Sequence, residues 1–78
     1  MHHDLKIEKK YFDPVLKNIK TFEIRKNDRH FNIGDTFSLN EIDEKRDYTG
    51  RSVSGKITYI TDYAQKEDYV VFGFVLMK

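Results

Sequence analysis

The sequence predicts a mainly β domain with one short α-helix, an α+β chain folded as a small, partly open barrel of about five strands. Three observations predict it. Ile, Val, Phe, Tyr and Thr supply 28 of the 78 residues, against 7 for Ala, Leu and Met, a balance that favours strands over helices. Short runs of alternating apolar and polar residues recur along the chain, separated by Gly, Asn and Asp turns. The length fits one domain over 1–78 and leaves no room for a second. A flat sheet of that size would expose its edges, and closure hides them.

His3–Ile7 alternates as a strand with Leu5 and Ile7 on one face. Phe12, Val15, Leu16 and Ile19 then fall at i, i+3, i+4 and i+7, the apolar stripe of a helix. Asp13-Pro14 reads as its start, with Asp13 as N-cap, or the helix begins earlier, near Lys9, with Pro14 in its first turn. Lys9, Lys10 and Lys17 make its outside basic. Thr21–Arg25 alternates again, with Phe22 and Ile24 on one side and Thr21, Glu23 and Arg25 on the other. Lys26–His30 is a polar loop or helical turn, and Asn32–Asp35 a turn in which Gly34 takes a positive φ. Thr36–Ile42 is a strand with Phe37 and Leu39 inward, and Asp43–Gly50 a charged loop. Ser52–Ile60 is a long strand with Val53, Ile57 and Tyr59 in phase and a bend or bulge at Gly55. Thr61–Asp68 is a loop. Tyr69–Leu76 is apolar on both faces, which predicts a central strand buried on both sides. Phe22, Phe37 and Phe72 are candidates to fill the barrel.

Composition excludes several functions. There is no Cys, hence no disulfide framework, thiolate zinc site or cysteine nucleophile. No apolar run approaches the roughly 18 residues of a spanning helix, and no signal peptide opens the chain, so a cytoplasmic protein without a membrane partner is expected. The net charge of +1 hides an uneven spread: +3 over residues 1–30, −3 over 31–50 and +1 over 51–78. That excludes a uniformly basic nucleic-acid arm and leaves room for a local basic face. No metal or cofactor is expected. Glu41, Asp43, Glu44 and Asp47 match no cation loop, have Lys45 and Arg46 among them, and read as a solvated loop. His2, His3 and His30 are too scattered for zinc, and His30 reads as a surface residue.

The densest polar cluster runs from Lys20 to His30. Glu23 and Arg25 leave the same face of a strand, and Lys20 stands at the helix-to-strand junction, within reach of it. Two readings of the trio are open: a surface ion-pair ladder, or a concave site. In the site, the Arg fork takes an anion and Glu accepts from an amino group. Tyr48 and Tyr63 fall in loops and are candidate stacking platforms, whereas Tyr59 and Tyr69 read as barrel wall.

Asn18-Ile19-Lys20-Thr21-Phe22-Glu23-Ile24-Arg25 resembles the G-x-K-x-x-E-x-R signature of ASCH (activating signal cointegrator homology) domains, barrels similar to the PUA RNA-binding fold. The likeness covers almost the whole chain and is nearest to a small, uncharacterised bacterial and phage branch. Asn18 replaces the signature's Gly, and Asn tolerates the left-handed conformation that ends a helix there. The resemblance implies an RNA- or nucleotide-binding module with its ligand in a cleft beside the signature strand. Lys20, Glu23 and Arg25 would hold it, and Lys26 and Arg29 would extend the basic rim. Some similar proteins deacylate N4-acetylcytidine with a Lys, a Thr nucleophile and a distant Glu. Aligned on Lys20 and Arg25, the Thr position here is Glu23. Thr21 lies two residues early, roughly 6–7 Å away along a strand, and Glu67 is the only late glutamate. Catalytic residues therefore stay unassigned, and a binding module is expected before an enzyme. A protein-interaction or phage-regulatory module is the alternative.

Overall fold

The computed structural model describes residues 1–77. It is mainly β: β1 (His2–Glu8), α1 (Lys9–Leu16), β2 (Phe22–Lys26), β3 (Thr36–Ile42), β4 (Tyr48–Thr61) and β5 (Tyr69–Met77). The five strands form one sheet in the order β1-β3-β4-β5-β2. β1 runs parallel to β3, and every other pairing is antiparallel. The sheet curls into a half-barrel whose free edges, β1 and β2, are joined in sequence by α1.

The concave face holds the core. Leu5 and Ile7 of β1, Phe37 and Leu39 of β3, Ile57 of β4, and Val70, Phe72 and Phe74 of β5 pack with Phe31 and with Phe12 and Val15 of α1. Aromatic contacts run through it: Phe31 lies 5.0 Å from Phe72, and Phe37 lies 5.5 Å from Phe72 and 5.1 Å from Phe74, centre to centre. Phe37 and Phe72 fill the interior as expected, but Phe22 is on the outside, because its strand turns Glu23 inward instead.

α1 starts at the earlier of the two expected positions. β1 passes straight into it, with Glu8 still extended at φ −68° and ψ 146°, so Asp13 lies within the helix and does not cap it. Pro14 is the sixth residue of the helix and not in its first turn, so it leaves the Lys10 carbonyl without its i→i−4 donor. The end is a Schellman motif: Ile19 N–H bonds Pro14 C=O, Asn18 N–H bonds Val15 C=O, and Asn18 takes φ +63°. The reversal carries Ile19 away from the core and Leu16 is exposed at the helix end, so only Phe12 and Val15 of the expected stripe are buried.

Two expectations for the later strands need correction. The irregularity in β4 lies between Ile57 and Tyr59 and not at Gly55. One extra residue there reverses the alternation, so Ile60 opposes Phe72 while Tyr59 points to solvent. β5 has neighbours on both sides but is not buried on both faces: Val75 and Met77 are exposed on the convex side, which no second layer covers. The charged loop is also shorter than expected, since β4 already begins at Tyr48.

Gly55 serves close packing. A Cβ built there would lie 2.6 Å from Cζ of Phe37 and 2.9 Å from the Val75 carbonyl oxygen. Gly55→Ala is expected to lower stability by about 1–3 kcal/mol through overpacking, read as a fall in the urea midpoint. An unchanged midpoint would show that the Phe37 ring can move aside freely.

Candidate functional site

The two free edges of the half-barrel do not pair, and the gap between them is a cleft of about 620 Å³. One wall is β1, with Lys6, Ile7 and Glu8, and the other is β2. Tyr11 of α1 stands at one end, Arg46 contributes from the β3–β4 connection, and Tyr69 from the start of β5.

Glu23 is the centre of the site. Its cross-strand partner is Phe72, so it shares the concave face with the core and its side chain is only 5% exposed. An uncompensated charge there would be strongly unfavourable. Two cations answer it. Lys20 Nζ pairs with Oε2 and also donates to the Phe22 carbonyl at 2.9 Å. Arg25 donates to Oε1 from Nε at 3.1 Å and from Nη2 at 2.8 Å. Nη2 also reaches across the cleft to the Lys6 carbonyl of β1 at 2.6 Å. Arg25 thus neutralises Glu23 and ties the unpaired edges together. The ion pairs of the ladder reading are therefore made, but around a buried carboxylate on the concave face and not at the surface.

Of the remaining expected residues, Lys26 lines the cleft, while Arg29 is exposed in the following loop and lies outside it. Thr21 is exposed and outside the cleft, and Glu67 lines a separate depression between the Lys26–His30 and Thr61–Asp68 loops. Lys20, Thr21 and Glu67 are therefore not brought together. Sequence reasoning missed Lys6, Tyr11 and Arg46 at this site, because the curl of the sheet assembles them. Among the lining side chains, Lys6, Lys20, Arg25, Lys26 and Arg46 stand against Glu8 and Glu23, a cationic surplus of three. Among the described residues, no group of three or more His, Asp or Glu could hold a metal ion. Nor is any helix long and apolar enough to cross a membrane.

Two more buried carboxylates lie away from the cleft. Glu41, expected in a solvated loop, is 2% exposed. It accepts from Arg51 Nε at 2.9 Å and Nη2 at 2.8 Å and from the Thr49 hydroxyl at 2.6 Å. Arg51 also bonds Asp13 at 2.9 Å and lies over the Phe12 ring at 4.7 Å, which fastens α1 to the sheet. The Arg51 and Thr49 hydrogen bonds hold the Glu41 carboxyl down at about 2, from an ordinary 4.5, and raise the Arg51 guanidinium further. Asp35 follows the same logic: hydrogen bonds from His3 Nε2 at 2.8 Å and from the Asn32 amide at 3.0 Å hold it at about 2, from 3.8. His3 is thus a buried structural residue, while His30 is on the surface, as expected. Tyr59 and Tyr63 are solvent-facing, and Tyr48 lies on β4 with Lys6 Nζ 5.6 Å from its ring centre.

The chain is similar to a family of unknown function and to a phage protein. Residues 2–74 match the model of a family described as a domain of unknown function, DUF3850. Over 75 residues the chain is 43% identical to an uncharacterized 12.9 kDa protein in the GpA 3′ region of Escherichia phage P2. That match covers 95% of this chain and 68% of the phage protein.

Two expectations arise from the charges. Arg25→Ala leaves a buried carboxylate with one partner and should cost about 3 kcal/mol. Adding Glu23→Gln should recover part of that loss. Additive urea-unfolding energies in this pair would show that the two side chains do not interact. Glu41 and Asp35 are depressed in the folded state, so their contribution is complete above the ordinary carboxylate range. It is lost as pH falls from about 4.5 toward about 2. Urea midpoints across that window should fall steeply for the native chain and less steeply for Glu41→Gln.

Proposed function

We propose that this chain, which belongs to the DUF3850 family, is a binding module for RNA or a nucleotide, with the ligand held in the cleft between β1 and β2. The observation that carries the reading is the composition of that cleft. Five cationic side chains face two carboxylates across a gap that the sheet leaves unpaired. Phosphate is the ligand group that such a surplus attracts most strongly. Arg25 and Lys20 are already engaged by Glu23, so Lys6, Lys26 and Arg46 are the residues assigned to phosphate contact. Glu23 Oε2, which pairs with Lys20 alone, keeps a lone pair at the floor to which the exocyclic amino group of a base can donate. The likeness of Lys20, Glu23 and Arg25 to the ASCH signature supports the same assignment, and a PUA-like module working inside the cell is consistent with it.

A second reading is favoured by a different observation. The convex side of β2, β5 and β4 exposes Ile24, Val75 and Tyr59, the kind of surface a protein-interaction module displays.

The test is the salt dependence of binding to a short single-stranded RNA. Affinity should fall with salt, but shallowly, since few phosphates fit so small a face. Lys6→Ala and Lys26→Ala should each weaken binding and reduce the log–log slope by about one. Both side chains are exposed, so the fold should be unaffected. A slope that stays the same in both variants would exclude phosphate contact in the cleft. No binding at low salt would shift the assignment to the convex protein-interaction surface.

A further inference from the structure

We infer that Tyr11 and Phe22 form a base-stacking rim on the cleft, which makes its ligand an unstacked nucleobase, presented by a mononucleotide or a single strand and not by a duplex. This rests on the cleft being a nucleotide site and adds to it the part of the ligand that is recognised.

The two rings reach the cleft from different elements. Phe12 is buried and anchors α1, which turns the preceding Tyr11 outward over the end of the gap. Phe22 leaves the convex side of β2, but β2 is an edge strand, so its ring still borders the cleft. Tyr11 and Phe22 are 41% and 42% exposed. Neither ring belongs to the core cluster, so packing does not explain why they are aromatic.

Lys20 sets their spacing. Its Nζ lies 5.3 Å from the Tyr11 ring centre and 5.0 Å from that of Phe22. Both distances are within the range of attraction between a cation and an aromatic face. The ammonium is held by Glu23 and by the Phe22 carbonyl, so the rings converge on a fixed point above the buried carboxylate. Exposed aromatic faces beside a cationic groove are how proteins hold the bases of single-stranded nucleic acids. A duplex keeps its bases stacked on one another and offers these rings nothing but its ends.

The test titrates the four ribonucleoside 5′-monophosphates, a short single-stranded RNA, the same RNA as a duplex, and ribose 5-phosphate. Each is titrated into the native chain, Tyr11→Leu and Phe22→Leu, by calorimetry. Leucine keeps an apolar side chain at an exposed position, and unchanged melting temperatures confirm folding. Each variant should weaken the mononucleotides and the single strand by about tenfold and leave ribose 5-phosphate unchanged. The chain has no Trp, so quenching of tyrosine emission by nucleotide, reduced in Tyr11→Leu, gives an independent readout. Nucleotide affinities that are equal in all three proteins would overturn the stacking rim while the cleft assignment stands. Equal losses for ribose 5-phosphate would do the same, and so would a duplex that binds as tightly as the single strand. No nucleotide or RNA binding by the native chain would remove both.

Discussion

A carboxylate on the concave face of an edge strand is the constraint around which the rest of the site is arranged. Glu23 faces the same side as Phe72, where water cannot solvate it freely, so its charge must be balanced within a few ångströms. The Schellman reversal at Asn18 delivers Lys20 to one oxygen. Strand alternation delivers Arg25 to the other. Arg25 also donates to the Lys6 carbonyl across the seam. One buried charge thus draws together the residue that follows the helix, a residue of β2 and, through Arg25, two strands that share no backbone ladder.

The same chain keeps its other buried carboxylates away from the seam. Asp35 is satisfied by His3 and a turn amide, and Glu41 by Arg51 and Thr49. Both networks join elements distant in sequence, β1 to the turn before β3, and α1 to β3 and β4. They hold the frame around the core, whereas Lys20, Glu23 and Arg25 border open space. That difference in surroundings, and not the number of hydrogen bonds, separates the candidate site from the structural clusters.

Local features were legible in the sequence. Alternation gave Leu5, Ile7, Phe37 and Leu39 their inward direction, Gly34 adopts the expected positive φ, and Asn18 ends the helix in the left-handed region. The shared face of Glu23 and Arg25 followed from a spacing of two along a strand, and Lys20 came within reach from the helix-to-strand junction. What could not be read depends on partners far along the chain. Glu41 looked solvated because Arg51 meets it only after folding, and Asp13 meets Arg51 in the same way. Tyr59 looked inward because an extra residue in β4 carries no mark of its own. β5 looked fully buried because apolar residues on both faces do not reveal that the convex side stays uncovered. Phe22, assigned to the barrel interior by hydrophobicity, stands at the rim because Glu23 occupies the inward position beside it.

The cleft has an unusual distribution along the chain. Ten of its thirteen lining residues lie between Lys6 and Lys26, while the antiparallel β3–β4–β5 meander supplies most of the hydrophobic interior. The cleft is therefore close to a contiguous cassette in sequence, laid against a core to which residues 36–77 contribute the larger share. Exposed positions of that short stretch, Lys6, Tyr11 and Lys26 among them, can therefore vary without disturbing the aromatic centre at Phe37, Phe72 and Phe74.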